Sequence, residues 1–131
     1  MRVTGAVVVI AVLDGGSGAG LARRFAAAGA AGLLIADQRP GVAEDLATEL
    51  DRPGCPVVGV GADVRQPSDV AALVATAVKH LGPIDLFCVC GPDAERILPI
   101  AELPATLGPL AELMAQVGEA IGEVLAPAVA A

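Results

Sequence analysis

The first 37 residues carry the pattern that most limits what this chain can become. An apolar run rich in β-branched residues, Ala6–Leu13, leads straight into Asp14-Gly15-Gly16-Ser17-Gly18-Ala19-Gly20. A helix-like stretch, Gly20–Ala28, follows. Gly32-Leu33-Leu34-Ile35-Ala36-Asp37 then forms a second strand-like run that closes on an acid. Strand, glycine turn, helix and strand in that order make a βαβ unit, which commits the chain to a parallel sheet with helices packed on its faces. The glycines also let a ligand approach backbone N–H groups at the helix N-terminus. An acid about 20 residues further on is placed to accept hydrogen bonds from ribose hydroxyls. The layout is that of an adenine-nucleotide cradle.

The alternation continues. Pro56–Val60 and Ile84–Cys90 read as two further strands, and Gly41–Leu50 and Ser68–Leu81 as helices between them. Ser68 is a candidate cap for a helix whose apolar set includes Val70, Leu73, Val74 and Val78, and Gly82-Pro83 stops that helix. Gly91–Leu103, with Pro92 and Pro99 inside it and Pro104 directly after, reads as a loop. A last helix is expected over 106–126. There Leu110, Leu113, Met114, Val117, Ile121, Val124 and Leu125 recur at helical spacing as one wide apolar stripe. No repeat or linker interrupts the pattern, so residues 1–131 are expected to form a single α/β domain.

Composition fixes how such a domain must be built. The chain is 55% hydrophobic, but it has two Phe and no Trp or Tyr, so its core rests on Ala, Val, Leu and Ile. A net charge of −7 leaves no basic stripe to neutralise phosphates, which argues against nucleic acid and against an anionic membrane surface. Arg2 followed by Ala6–Leu13 faintly resembles a signal peptide. The run is short, however, and it enters a glycine turn rather than a cleavage site. Cys55, Cys88 and Cys90 are an odd number without a framework, so a reducing, cytoplasmic compartment is expected. Cys88 and Cys90 with His80 make a poor metal set, and both read as small buried strand residues. Lys79 and His80 read as favourable charges at a helix C-terminus.

Much of the chain, roughly residues 6–92, resembles the short-chain dehydrogenase/reductase family. Leu13–Gly20 sits where that family carries its T-G-x-x-x-G-x-G turn; Gly18 and Gly20 match, while Leu13 and Asp14 replace the Thr and the first Gly. Ala22–Ala30 looks like the helix that follows. Asp37 matches the acid that takes the adenosine ribose hydroxyls, and Asp63-Val64 matches the Asp-Val pair along the adenine. Asp69-Val70 and Gly82-Pro83-Ile84-Asp85 also fit. Cys88-Val89-Cys90-Gly91-Pro92 stands where the family usually has an N-N-A-G segment; Cys90 matches a Cys found in some members, but both Asn are lost. The glycine turn alone, Val12–Gly20, is also similar to the V-L-D-x-G-x-G-x-G turn of class I methyltransferases, Asp14 included. That family too ends its second strand on a ribose-binding acid. The turn's position near the start of the sequence and the Asp63–Asp85 pattern favour the dehydrogenase family.

The resemblance implies a Rossmann-type parallel sheet of order 3-2-1-4 with helices on both faces, cut short relative to the family. It implies a cofactor site of Gly16, Ser17, Gly18, Ala19, Gly20, Asp37, Asp63, Val64, Cys90 and Gly91, holding NAD, with S-adenosylmethionine as the alternative. An acid at Asp37 disfavours a 2′-phosphate, so NAD is expected over NADP; Arg39 is the nearby counter-argument. Two structural alternatives stay open: Asp37 as the cap of the following turn, and Asp63 as a strand-end carboxylate held by backbone N–H groups. The family's catalytic Tyr, its Lys four residues later, and its Ser and Asn have no counterpart, since the chain has no Tyr or Asn and its last Ser is Ser68. No catalytic residue is therefore assigned, and the resemblance implies cofactor binding rather than hydride transfer by this segment alone. A sheet ending at the fourth strand would expose Leu86, Phe87 and Val89 along an open edge. The Leu110–Leu125 stripe either folds back to cover one sheet face or, with that edge, drives self-association or pairing with a full-length relative.

Overall fold

The computed structural model describes residues 3–13, 18–92, 94–100 and 108–130, with side chains of the last helix described over 112–125. Asp14, Gly15, Gly16 and Ser17, the front of the glycine turn, lie outside the described residues. The elements alternate as the pattern predicts: β1 (Val7–Val12), α1 (Ala19–Ala27), β2 (Gly32–Asp37), α2 (Pro40–Leu50), β3 (Val57–Gly61), α3 (Pro67–Leu81) and β4 (Leu86–Cys90). A fifth strand, β5 (Glu95–Pro99), and a last helix, α4 (Gly108–Ala130), complete the chain. Pro40 and Pro67 open α2 and α3 at a position whose N–H would lack an intrahelical partner anyway. Ser68 does not cap α3; Gln66 holds the cap position, and Ser68 falls one residue inside the helix.

The sheet has order β3-β2-β1-β4-β5. β1 pairs in parallel with β2 and β4, and β2 with β3. β1 and β2 are buried along their whole length, as strands covered on both faces must be. The two-residue period of β1 divides its side chains between two cores. Val8, Ile10 and Val12 pack with Leu21, Ala22 and Phe25 of α1 and with Ala43 and Ala47 of α2. Val7, Val9 and Ala11 pack with Val70, Leu73 and Ala77 of α3 and with Leu113, Val117, Ala120 and Val124 of α4. Helices thus cover both faces. α2 lies so close to β3 that a Cβ at Gly59 would fall on the backbone of Ala43.

The expected loop over Gly91–Leu103 is instead partly a strand. β5 runs antiparallel to β4, with Cys90 opposite Glu95 and Leu86 opposite Pro99. The fourth strand is therefore not an edge, which removes the exposed strand on which self-association was expected to rest. Leu98 turns inward to the α3/α4 core, while Glu95, Arg96 and Pro99 are exposed. Charge and proline on the outer strand blunt further pairing. Of the two readings of the last helix, the apolar stripe of α4 takes the fold-back one and packs onto the same face of the sheet. Among the described residues no helix is long and apolar enough to cross a membrane.

Candidate functional site

The C-terminal ends of the parallel strands converge on one edge of the sheet. β1 delivers the chain to Gly18, the cap position of α1, whose carbonyl accepts the Ala22 N–H at 2.8 Å. A Cβ at Gly18 would lie 2.9 Å from Ile10 Cγ2 and 3.0 Å from Val12 Cγ2, so this glycine lets the helix sit tightly on β1. Gly20 is different: a Cβ there would meet nothing within 4 Å, and its surface is open. Ala19 lies between them in the first helical turn. No acid stands in that turn to oppose an anion at the helix N-terminus.

Asp37 ends β2 with only 3% of its surface exposed. Arg39 engages its carboxylate three times: the Arg39 backbone N–H and Nε donate to Oδ1 at 2.9 and 3.0 Å, and Nη2 donates to Oδ2 at 2.9 Å. The sequence left Asp37 between turn cap and ribose acceptor, and in the folded chain it caps the turn. Arg39 is a full partner of the site rather than a solvated loop charge. The hydrogen bond to Asp37, and then the carboxylate's charge, hold the Arg39 guanidinium above its ordinary pKa.

The end of β3 repeats the device. Arg65 donates its backbone N–H to Asp63 Oδ1 at 3.0 Å and its Nε to the same oxygen at 3.1 Å. Desolvation alone would raise the Asp63 pKa, but the Arg65 N–H, the Arg65 guanidinium and the Gln38 side chain together hold it below its ordinary value. The Asp63 backbone N–H donates to Asp69 Oδ2 at 2.9 Å, which ties the strand end to the first turn of α3. Asp37 and Asp63 are thus joined through neighbouring residues: Arg39 on one acid, Gln38 between them, Arg65 on the other. Sequence reading missed Arg65, Gln38 and the closure of Asp37 by Arg39. The signal was present as a repeated Asp-x-Arg at 37–39 and 63–65.

Val64 is buried beside Asp63 and lines a cavity of about 260 Å³ with Arg65, Pro67, Val70, Met114, Gly118 and Ile121. The cavity lies between the start of α3 and the middle of α4. Cys90 is 2% exposed, and its side chain belongs to the α1/α2 core, so it presents backbone only; its carbonyl accepts the Leu13 N–H at 2.7 Å. Burial pushes the Cys90 thiol up to about 11 and the Cys88 thiol higher still, so both are neutral packing groups. Gly91 donates its N–H to Ala94 O at 2.8 Å, and a Cβ on it would come within 2.5 Å of Val124 Cγ1. α4 therefore closes one side of Gly91. Among the described residues no cluster of His, Cys, Asp and Glu could hold a metal ion.

A parallel α/β sheet with a glycine-edged helix N-terminus and an acid at the end of each of two neighbouring strands defines a Rossmann-type nucleotide fold. The comparisons give the family. The short chain dehydrogenase family model matches residues 6–103, and the chain belongs to that family. It is 40% identical over 93 residues to the 1-deoxy-11-beta-hydroxypentalenate dehydrogenase of Streptomyces arenae, covering 68% of this chain and 32% of the relative. Among solved structures, the 3-ketoacyl-(acyl-carrier-protein) reductase of Brucella melitensis, complexed with NADH, aligns with a TM-score of 0.53 at 33% identity. That alignment covers 65% of this chain and 34% of the reductase. A blue fluorescent protein from a metagenomic library, complexed with NADPH, aligns with a TM-score of 0.55 at 30% identity, covering 66% and 36% of the two chains. The chain spans about a third of the length of these relatives. All of α4, Gly108–Ala130, lies beyond the residues 6–103 that the family model matches.

Proposed function

We propose that this chain binds the adenosine part of NAD at the C-terminal ends of β1, β2 and β3. The observation that carries this reading is Asp37: a carboxylate 3% exposed at the end of β2, in the chain of a family whose members bind nicotinamide dinucleotides. In that reading Asp37 accepts the ribose hydroxyls, the start of α1 with Gly18, Ala19 and Gly20 faces the pyrophosphate, and Asp63 and Val64 lie along the adenine. Gly16 and Ser17 complete the turn, and Cys90 and Gly91 contribute backbone. A buried carboxylate disfavours a 2′-phosphate, which is the reason for NAD over NADP.

Hydride transfer is not assigned to these residues. It needs a group that moves a proton at the substrate oxygen, and none of the residues placed at this edge is arranged to do so. The proposed role is the cofactor-holding part of an oxidoreductase, in the reducing cytoplasm that three unpaired cysteines suit. The test is a titration of NADH with protein, read by nicotinamide fluorescence, followed by S-adenosylmethionine as competitor. Enhancement that S-adenosylmethionine does not reverse is the expected result. No enhancement at saturating protein would remove Gly18, Gly20 and Asp37 from any NAD site.

A further inference from the structure

We propose that Arg39 is a displaceable latch on Asp37, a guanidinium that leaves the carboxylate when a nucleotide ribose takes its place; this rests on the nucleotide reading above. The argument is a count of acceptor positions. A carboxylate offers about four lone-pair positions. Arg39 takes three of them, through its backbone N–H and Nε on Oδ1 and Nη2 on Oδ2. A ribose diol that donates both hydroxyls to Asp37 needs two. One contact has to go. The backbone N–H is fixed by the turn that starts α2, so the guanidinium is the group that moves.

Exposure points the same way. The Asp37 side chain is 4% exposed and the Arg39 side chain 50%. The buried acid thus carries the half-exposed guanidinium on both of its oxygens, so hydroxyls that donate to Asp37 compete with Arg39. Arg39 sits in the two-residue link between β2 and α2, where half of its side chain is exposed. Asp63 carries the same closure by the residue two positions on, so the two neighbouring acids are kept satisfied by one local device until a ligand competes for them.

The test follows the Arg39 Nε–H directly. In uniformly 15N-labelled protein, the Arg39 Nε–H signal, assigned by its loss in Arg39→Gln, should exchange slowly with water. On titration with NADH it should shift and exchange faster as the Asp37 contact is given up. Arg39→Gln should bind NADH tighter by roughly two- to five-fold, the range that an exposed ion pair's worth converts to. NADH saturation with the Arg39 Nε–H unmoved would overturn the latch and leave the nucleotide site standing, and so would weaker binding by a variant that melts like the parent. Binding by Arg39→Gln alone would support the latch as a complete block. Binding by neither chain would sink the nucleotide reading and the latch with it.

Discussion

Two aspartates at strand ends carry most of what this chain can do chemically, and their neighbours set the terms. Asp37 is buried and hydrogen-bonded, so it is a preformed acceptor rather than a solvated charge. Asp37→Ala should lower NADH affinity about ten- to a hundredfold, from the roughly 1.5–3 kcal/mol that hydrogen bonds to a charged group contribute. Fluorescence titration measures it, and unchanged affinity would take Asp37 out of the site. Asp63 makes a different prediction, because its pKa in the folded chain lies below its ordinary value. Folding favours its charged form. That contribution is complete above the ordinary value of 3.8 and is lost as pH falls through the lower folded value. Asp63→Asn should therefore lose less thermal stability than the parent as pH drops from about 5 to about 2. Parallel melting curves across that range would show that the Arg65 and Gln38 contacts add nothing.

At the scale of elements, close approach decides where substitution is tolerated. β3 takes glycine where α2 crosses it, and an added Cβ at Gly59 would meet the Ala43 carbonyl and the Glu44 nitrogen, both fixed by the helix. Backbone cannot step aside as a side chain can. Gly59→Ala should cost about 1–3 kcal/mol, the usual scale of overpacking. Gly122 in α4 is exposed, and an added Cβ there meets nothing within 4 Å. Gly122→Ala should instead stabilise the chain by about 0.5–1 kcal/mol through helix propensity. Urea denaturation of the two variants should shift in opposite directions; a shift of the same sign would contradict the packing described for β3. The strands and helices themselves were legible, because apolar period and glycine or proline punctuation are local. β5 was not: its five residues, Glu-Arg-Ile-Leu-Pro, have two charges and a proline and become a strand only because β4 offers an edge to pair with.

For the molecule as a whole, α4 is what closes the fold. Leu113, Val117, Ala120 and Val124 are each at most 4% exposed, and they cover the core face formed by Phe87, Val89 and Leu98. A chain ending after Ile100 would leave that face open to water. Such a truncation should lose its cooperative thermal transition and bind a hydrophobic dye at room temperature. A sharp melt without dye binding would show that the sheet with α1, α2 and α3 is sufficient by itself. Burial of the α4 stripe also accounts for the scarcity of apolar surface: among the described residues, Val42 is the one large hydrophobic side chain that is exposed.

The sequence by itself determined the alternating α/β order, the parallel pairing of the first four strands, and the acids that end β2 and β3. Each follows from short-range pattern: apolar runs set strands, glycine and proline end them, and the period of a strand is read residue by residue. Tertiary structure decided what those acids meet. Arg39 and Arg65 are two residues from their carboxylates in the chain, but only the folded turns bring Nε and the backbone N–H onto the same oxygen. It also decided that β4 is interior and that α4 lies against Gly91. Both depend on which surfaces remain to be buried once the other elements have packed, and that is a property of the assembled sheet rather than of any stretch of sequence.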